Sequence, residues 1–144
     1  MRNLIVIALL AAATALAQTG GPAQGKAAPS KAKILKRAEL DELLSHPDRV
    51  LLIDLRRPDE VSKIGGFPVY LSIQIGELDK HLSEIPKDRV IVTVSNHAGR
   101  AGRAADLLQS KGFNVAGAVG AEVYESEGGR LFKIEPPPPA NEKK

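Results

Sequence analysis

Short apolar runs recur along the middle of the chain, and most of them have the character of buried strands. Residues 50–55 are almost continuously apolar, and residues 90–95 form a second run that is rich in β-branched side chains. Such continuous apolar character is typical of a parallel sheet, because both faces of each strand are covered. Further strands are predicted at residues 69–73 and, as a short first strand, at Ile34 and Leu35.

Apolar residues at helical spacing alternate with these runs. Leu40, Leu43 and Leu44 lie at i, i+3 and i+4, which predicts a helix that packs on the sheet. A second amphipathic helix is predicted over residues 75–85. Its apolar positions are Ile75, Leu78, Leu82 and Ile85. Strands that alternate with helices indicate an α/β fold.

The first and last turns of two more helices are also marked in the sequence. Pro58 suits the first helical position, and Asp59 and Glu60 complement the positive end of the helix dipole. The segment after Arg100 has small apolar residues on one face, and Gly112 is predicted as its C-terminal cap. The residues of that face are Ala101, Ala104, Ala105 and Leu108.

The N-terminus has the pattern of a secretory signal peptide. A positive start is followed by an apolar segment and by Ala15-Leu16-Ala17, which predicts cleavage after Ala17 and export to the periplasm or the exterior. The apolar segment over residues 4–17 is shorter than the ~20 residues that span a bilayer, so no membrane span is predicted in the mature protein, and an uncleaved anchor is the alternative. Residues 18–32 are predicted as a flexible linker, residues 33–130 as the folded domain and residues 131–144 as a proline-rich disordered tail.

Composition excludes several classes of function. The chain has no cysteine, which rules out a cysteine redox site or a zinc-thiolate site, and its three histidines lack the spacing of metal ligands, so neither a metal nor a cofactor is predicted. The formal net charge of +3 falls by one when Arg2 is removed with the signal peptide, and aromatic residues are 3% of the chain. A nucleic-acid partner is therefore not expected, and the sequence does not indicate an oligomeric state.

The strongest chemical signal is the loop that follows the strand at residues 90–95. A predicted helix begins directly after this loop, so loop amides and the helix dipole form a potential anion pocket. The candidate anion-binding residues are Ser95, Asn96, His97, Ala98, Gly99 and Arg100, called the 95–100 loop below. Asp54, Arg56 and Arg103 are the supporting candidates. Asp54 and Arg56 lie at the carboxyl end of another predicted strand and would converge on the loop if the two strands are neighbours.

These segments together resemble the rhodanese-like (sulfurtransferase) domain. The resemblance rests on an apolar strand that runs into Asp54-Leu55-Arg56 with Glu60 a few residues later, on the 95–100 loop, and on residues 112–115, after which the family has a further short strand. It extends from about residue 33 to residue 129. The resemblance implies a single rhodanese-like domain with a central, mostly parallel sheet flanked by helices on both faces.

The resemblance also implies that the residues of catalysis have changed. The family's six-residue loop opens with the catalytic cysteine, which carries a persulfide, and commonly ends in arginine; here it opens with Ser95 and ends with Arg100. A serine hydroxyl cannot carry a persulfide and needs an adjacent base to act as a nucleophile. The chain also lacks the histidine of the family's His-Ile-Pro-Gly turn near Gly66, and it lacks the family's tryptophan, for which Tyr124 is expected to supply some of the bulk.

Charge near the 95–100 loop leaves two interpretations. Arg100 and Arg103 lie in a helix first turn, where cations are unfavourable, so a nearby negative charge is expected. A bound anion would supply it, or a carboxylate of the domain would: the candidates are Asp54, Asp59 and Glu60. In the second interpretation Arg56 pairs with a carboxylate such as Glu60, and Asp54 ties down loop amides.

Three functions follow in order of preference. The first is a non-catalytic rhodanese-like domain that binds a small oxyanion or a partner's side chain at the 95–100 loop. The second is an interaction or scaffold domain for an exported partner. The third is a residual enzyme, either related to sulfurtransferases or a hydrolase that uses Ser95 with His97 as base, although residues two apart on a tight loop usually point in different directions.

Overall fold

A four-stranded parallel sheet forms the centre of the computed structural model, which describes residues 29–135. The predicted signal peptide, residues 18–28 of the predicted linker and the tail from residue 136 onward lie outside the described residues. The strands are β1 (Val50–Asp54), β2 (Tyr70–Ser72), β3 (Val90–Ser95) and β4 (Val115–Gly120), in the order β2-β1-β3-β4. Because β1 pairs with β3, with Asp54 opposite Val94, their carboxyl ends are adjacent.

Helices cover both faces of this sheet. They are α1 (Arg37–Leu44), α2 (Pro58–Ile64), α3 (Gly99–Ser110) and α4 (Ala121–Ser126). One apolar cluster joins the small-residue face of α3 to Ile53 and Ile91, and the other joins α1 and α4 to Leu52 and Val92. Successive strand residues enter opposite clusters, as a pleated strand requires. The predicted fold class, a single α/β domain with a parallel sheet between helices, is confirmed.

Two predicted elements are wrong. The amphipathic helix over residues 75–85 is replaced by two 3₁₀ turns, Leu78–Lys80 and Leu82–Glu84, although Leu78 and Ile85 are buried as expected. A 3₁₀ turn also brings residues i and i+3 to one face, so apolar spacing alone does not distinguish these turns from an α-helix. The first strand is reduced to an isolated bridge between Ile34 and Ala118.

The described part of the chain contains no helix that is both long enough and apolar enough to cross a membrane. The C-terminal end of α3 follows the prediction: the amide of Gly112 donates to Gln109 and that of Phe113 donates to Leu108. Tyr124 is buried on α4 and packs edge-on against Phe67, with 5.1 Å between ring centroids.

Val69 adopts a backbone conformation that disfavours valine. Its φ is +56° and half of the residue is exposed, so a β-branched side chain occupies the left-handed region without burial to offset the cost. The preceding residue is Pro68. We expect Val69→Gly to raise the free energy of unfolding by about 0.5–1 kcal/mol, because relief of left-handed strain exceeds glycine's extra freedom in the unfolded chain.

Urea unfolding measures this change. Val123→Gly is the matched control, since Val123 is similarly exposed but lies in α4, where glycine is expected to destabilise the fold. Equal destabilisation by both variants would contradict the strain at Val69.

Candidate functional site

The 95–100 loop is held tightly between the ends of two strands and α3. Thr93 Oγ1 donates to the carbonyl of Ala101 at 2.7 Å, and Ser95 Oγ accepts the amide of Ala101 at 3.0 Å, so β3 fixes the first turn of α3. On the β4 side, a Cβ on Gly120 would lie 3.0 Å from both the nitrogen of Ala98 and the carbonyl oxygen of Asn96. Glycine at the end of β4 therefore allows the loop to lie directly against the strand.

The loop presents unpaired backbone donors at the start of α3. Ala98 is in the left-handed region, with φ +64°, and it is the N-cap residue of the helix. Within residues 29–135, the backbone amides of residues 96–100 donate to no protein acceptor, whereas the amides of Ala101 and Gly102 do. Consecutive free amides at a helix N-terminus are the arrangement by which proteins bind anions.

Glu60, one of the three candidate carboxylates, supplies the negative charge expected near Arg100. Arg100 donates from both terminal nitrogens to the two Glu60 oxygens, with Nη1 at 2.9 Å from Oε2, and Asn96 Nδ2 donates to Oε1 at 3.0 Å. The amide of Arg57 donates to Oε2 at 2.9 Å. Arg100 beside Glu60 lowers the pKa of that carboxyl to about 2. The other two candidates pair elsewhere: Asp59 with Arg57 and Asp54 with Arg56.

Beside the loop lies an open cleft of about 420 Å³, called the anion cleft below. Its lining residues are Glu60, Ser95, Asn96, His97, Gly99, Arg100 and Arg103. Ala98 is buried and does not line it. Arg103 is exposed and forms no ion pair with any other residue in the range 29–135. The cleft thus combines one neutralised arginine with one that is available to a ligand.

Asp54 and Arg56 do not line the anion cleft. They form a fully buried ion pair, in which Arg56 Nη2 lies 2.7 Å and Nε 2.9 Å from the two Asp54 oxygens. Arg56 therefore pairs with a nearby carboxylate, as the second interpretation expects, but this carboxylate is Asp54 and not Glu60, which contacts Arg100 instead. Asp54 also accepts the amide of Arg56 at 3.1 Å. The pair secures the chain between β1 and α2, and α2 carries Glu60.

Ser95 and His97 do not form a catalytic pair in this structure. Ser95 is buried, and its oxygen accepts the Ala101 amide, whereas the side chain of His97 is three-quarters exposed and its Nδ1 lies 3.1 Å from Glu122 Oε2. Among the described residues, no imidazole or carboxylate hydrogen bonds to Ser95 Oγ. The geometry therefore gives Ser95 a structural hydrogen bond and no base.

Residues 29–135 contain no group of three or more acidic or histidine side chains that could hold a metal ion. Two contacts at the loop were not predicted from the sequence: that of Asn96 with Glu60 and that of His97 with Glu122. The contact of Glu60 with the amide of Arg57 could have been predicted, because Glu60 lies three residues after the N-cap of α2, where a glutamate reaches back to the cap amide.

The Glu60 contact predicts a specific dependence of stability on pH. A carboxyl whose pKa falls from 4.5 to about 2 on folding stabilises the fold above pH 4.5, and this contribution is lost as pH falls towards 2. We expect the difference in unfolding free energy between wild type and Glu60→Gln to be largest near neutral pH and to shrink over that interval.

Urea unfolding at a series of pH values measures this difference. Glu125→Gln is the control, because Glu125 is exposed and has no ion pair within the described residues. A Glu60→Gln difference that is constant from pH 7 to about 2 would contradict the assigned coupling.

The fold is an α/β domain with the 95–100 loop and the cleft beside it at the carboxyl end of β3. The sequence model of the Rhodanese-like domain matches residues 36–130, and the chain belongs to that family. It is thus related to sulfurtransferases.

Three relatives illustrate the similarity. A sulfurtransferase of Allochromatium vinosum is 32% identical over 84 residues, which cover 56% of this chain and 78% of that protein. A rhodanese-related protein of Thermoplasma volcanium superposes with a TM-score of 0.63 at 22% identity and covers 71% of this chain and 99% of its own. A single-domain sulfurtransferase of Saccharomyces cerevisiae superposes with a TM-score of 0.55 at 24% identity, over 67% and 91%.

Proposed function

We propose that this chain is an exported rhodanese-like domain without sulfurtransferase activity, which binds a small oxyanion at the 95–100 loop. One observation carries the proposal: the backbone amides of residues 96–100 have no protein acceptor within residues 29–135. Buried or half-buried amides are almost always paired, so a ligand or water must satisfy those that the cleft shields. An oxyanion offers several acceptor oxygens to neighbouring amides at once.

Loss of catalysis follows from the residue at the head of the loop. Sulfur transfer in the family proceeds through a cysteine persulfide, and this chain contains no cysteine. Ser95 stands at the loop position of the nucleophile, and its oxygen is occupied by the amide of Ala101. We infer that the domain retains the loop as a binding device.

The charges around the anion cleft favour weak, reversible binding. Glu60 neutralises Arg100, which leaves Arg103 and the loop amides as the attractive groups. A negatively charged side chain of an exported protein partner presents the same chemistry as a free oxyanion, and it is the alternative ligand. Export itself rests on the N-terminal sequence pattern, which predicts a periplasmic or secreted protein.

Thermal unfolding of the full chain tests oxyanion binding. A ligand that binds only the folded state raises the melting temperature with its concentration, so replacement of chloride by sulfate at constant ionic strength is expected to raise it by a few degrees. Arg103→Gln is expected to reduce this increase by about half or more.

Lys111→Gln is the matched control, because it removes one exposed positive charge just beyond the other end of α3. An equal sulfate effect in wild type and in both variants would show general salt stabilisation and would contradict binding at the cleft. A sulfate effect that is absent from wild type would contradict it as well.

A further inference from the structure

A second depression lies directly beside the anion cleft. This apolar groove has a volume of about 380 Å³ and shares His97, Gly99 and Arg103 with the cleft. Its other walls include Ile34 and Val123. The two depressions are therefore one continuous surface with the start of α3 between them.

The groove exposes apolar side chains that the fold does not use. Ile34 is 49% exposed and Val123 is 41% exposed, and both belong to the few large apolar residues of the described chain with this much exposure. Single exposed apolar residues are ordinary on protein surfaces. Here, two from distant parts of the sequence flank one groove that ends at free backbone donors, which is the arrangement of a ligand site with an apolar wall and a polar end.

The chain segment that forms this wall is fixed in place. The amide of Lys31 donates to Asp106 on α3 at 3.0 Å, and Ile34 forms a parallel bridge with Ala118 of β4. Ser30 lies so close to α3 that a Cβ added to Gly102 would be 2.7 Å from the Cβ of Ser30. The groove is consequently part of the folded domain.

The charges that face the two depressions set the charge of a ligand. Arg100 is neutralised by Glu60, so Arg103 is the lining arginine without an ion pair within residues 29–135. Because the Glu60–Arg100 pair carries no net charge, one cation remains to meet a ligand, and a dianion would exceed its charge. A single negative charge matches this balance better.

We propose that the ligand of the 95–100 loop is a singly charged organic anion whose apolar substituent lies in the apolar groove between Ile34 and Val123. This proposal rests on the proposed function and names its ligand class. The anionic head contacts the loop amides and Arg103, and the substituent, about the size of a phenyl ring, covers apolar surface that an inorganic anion would leave in water.

A pair of monoanions with the same head group tests the proposal. Benzenesulfonate and methanesulfonate are titrated separately into the ¹⁵N-labelled full chain, and both dissociation constants are obtained from amide shifts. We expect benzenesulfonate to bind about tenfold more tightly, from partial burial of the ring. Its shifts are expected at Val123 and Ile34 in addition to the loop, whereas those of methanesulfonate are confined to the loop.

Two serine variants separate the groove from the loop. Val123→Ser is expected to remove most of the preference for benzenesulfonate while methanesulfonate affinity stays the same. Val69→Ser is the matched control, because Val69 is similarly exposed but lines neither depression, and the preference should be unchanged.

Equal affinities of the wild type for the two sulfonates, with shifts on the loop alone, would overturn this inference and leave the proposed function intact. Absence of loop shifts with either sulfonate and with sulfate would overturn both.

Discussion

Asp54→Ala is expected to destabilise the fold by about 3–5 kcal/mol, because it leaves the guanidinium of Arg56 buried without its counter-charge. Arg56 and Asp54 are both fully buried, and they are joined by two hydrogen bonds of 2.7 and 2.9 Å. Arg56 Nη1 is also buried and has no partner within residues 29–135, so the site has no spare acceptor that could replace the carboxylate. Urea unfolding followed by circular dichroism measures the effect.

An exposed ion pair of the same chain provides the control. Arg57 and Asp59 are also two residues apart and form the same two-pronged contact, at 2.8 and 3.0 Å, but both side chains are more than 60% exposed. Asp59→Ala is expected to cost a small fraction of what Asp54→Ala costs, since solvent screens the exposed pair. If Asp54→Ala folds stably but is no more destabilised than Asp59→Ala, the buried pair does not hold the chain between β1 and α2.

A double variant keeps this prediction testable if Asp54→Ala does not fold. Asp54→Leu combined with Arg56→Met removes both charges together. It is expected to be more stable than either single charge removal, because an apolar replacement of a buried pair avoids the uncompensated charge.

Ser95→Cys is expected to convert the domain into a sulfurtransferase that accepts thiosulfate. A thiol at this position would lie where the amide of Ala101 and the start of α3 favour the thiolate. The thiolate attacks the outer sulfur of thiosulfate, the sulfur–sulfur bond breaks, and sulfite leaves with its electron pair. Cyanide then attacks the outer sulfur of the persulfide, and thiocyanate leaves as the thiolate is restored.

The expected rate of thiocyanate formation by Ser95→Cys is at least about tenfold above wild type, because the wild-type chain has no cysteine to form a persulfide. Ser83→Cys is the matched control, since Ser83 is an exposed serine outside the loop. If Ser95→Cys gains no more activity or persulfide than Ser83→Cys, the cleft has diverged beyond its nucleophile. The missing histidine near Gly66, which the family has, would then be the first explanation for the lack of activity in Ser95→Cys.

Much of the fold could be predicted, because short stretches of the sequence carry the apolar patterns of its strands and helices. The continuous apolar runs that became β1 and β3 are buried on both faces, and the alanines of α3 pack on the sheet as their spacing predicts. The 3₁₀ turns that contain Leu78 and Leu82 were not predicted, because the burial pattern of these residues fits both helix types. The two helix types differ in their backbone hydrogen bonds, and the spacing of apolar residues does not show which of these bonds form.

The candidate site divides in a similar way. The position of the 95–100 loop follows from the strand that precedes it and the helix that follows it. The partner of Arg100 could be narrowed only to three carboxylates, because Glu60 is 40 residues away in sequence and neighbours on a helix differ in direction by about 100°. Whether Glu60 or Asp59 faces the loop is set by the placement of α2 on the sheet. The apolar groove could not be predicted from the sequence, because Ile34 and Val123 are far apart in sequence and line one groove only in the folded chain.

Oxyanion binding at the 95–100 loop is tested most directly by an amide titration of the ¹⁵N-labelled full chain with thiosulfate, sulfate and phosphate, with chloride as the control for ionic strength. We expect saturable shifts over residues 95–103 with an oxyanion and none with chloride. Loop amides that respond to no oxyanion, or shifts that scatter over the surface and match those with chloride, would contradict an anion site.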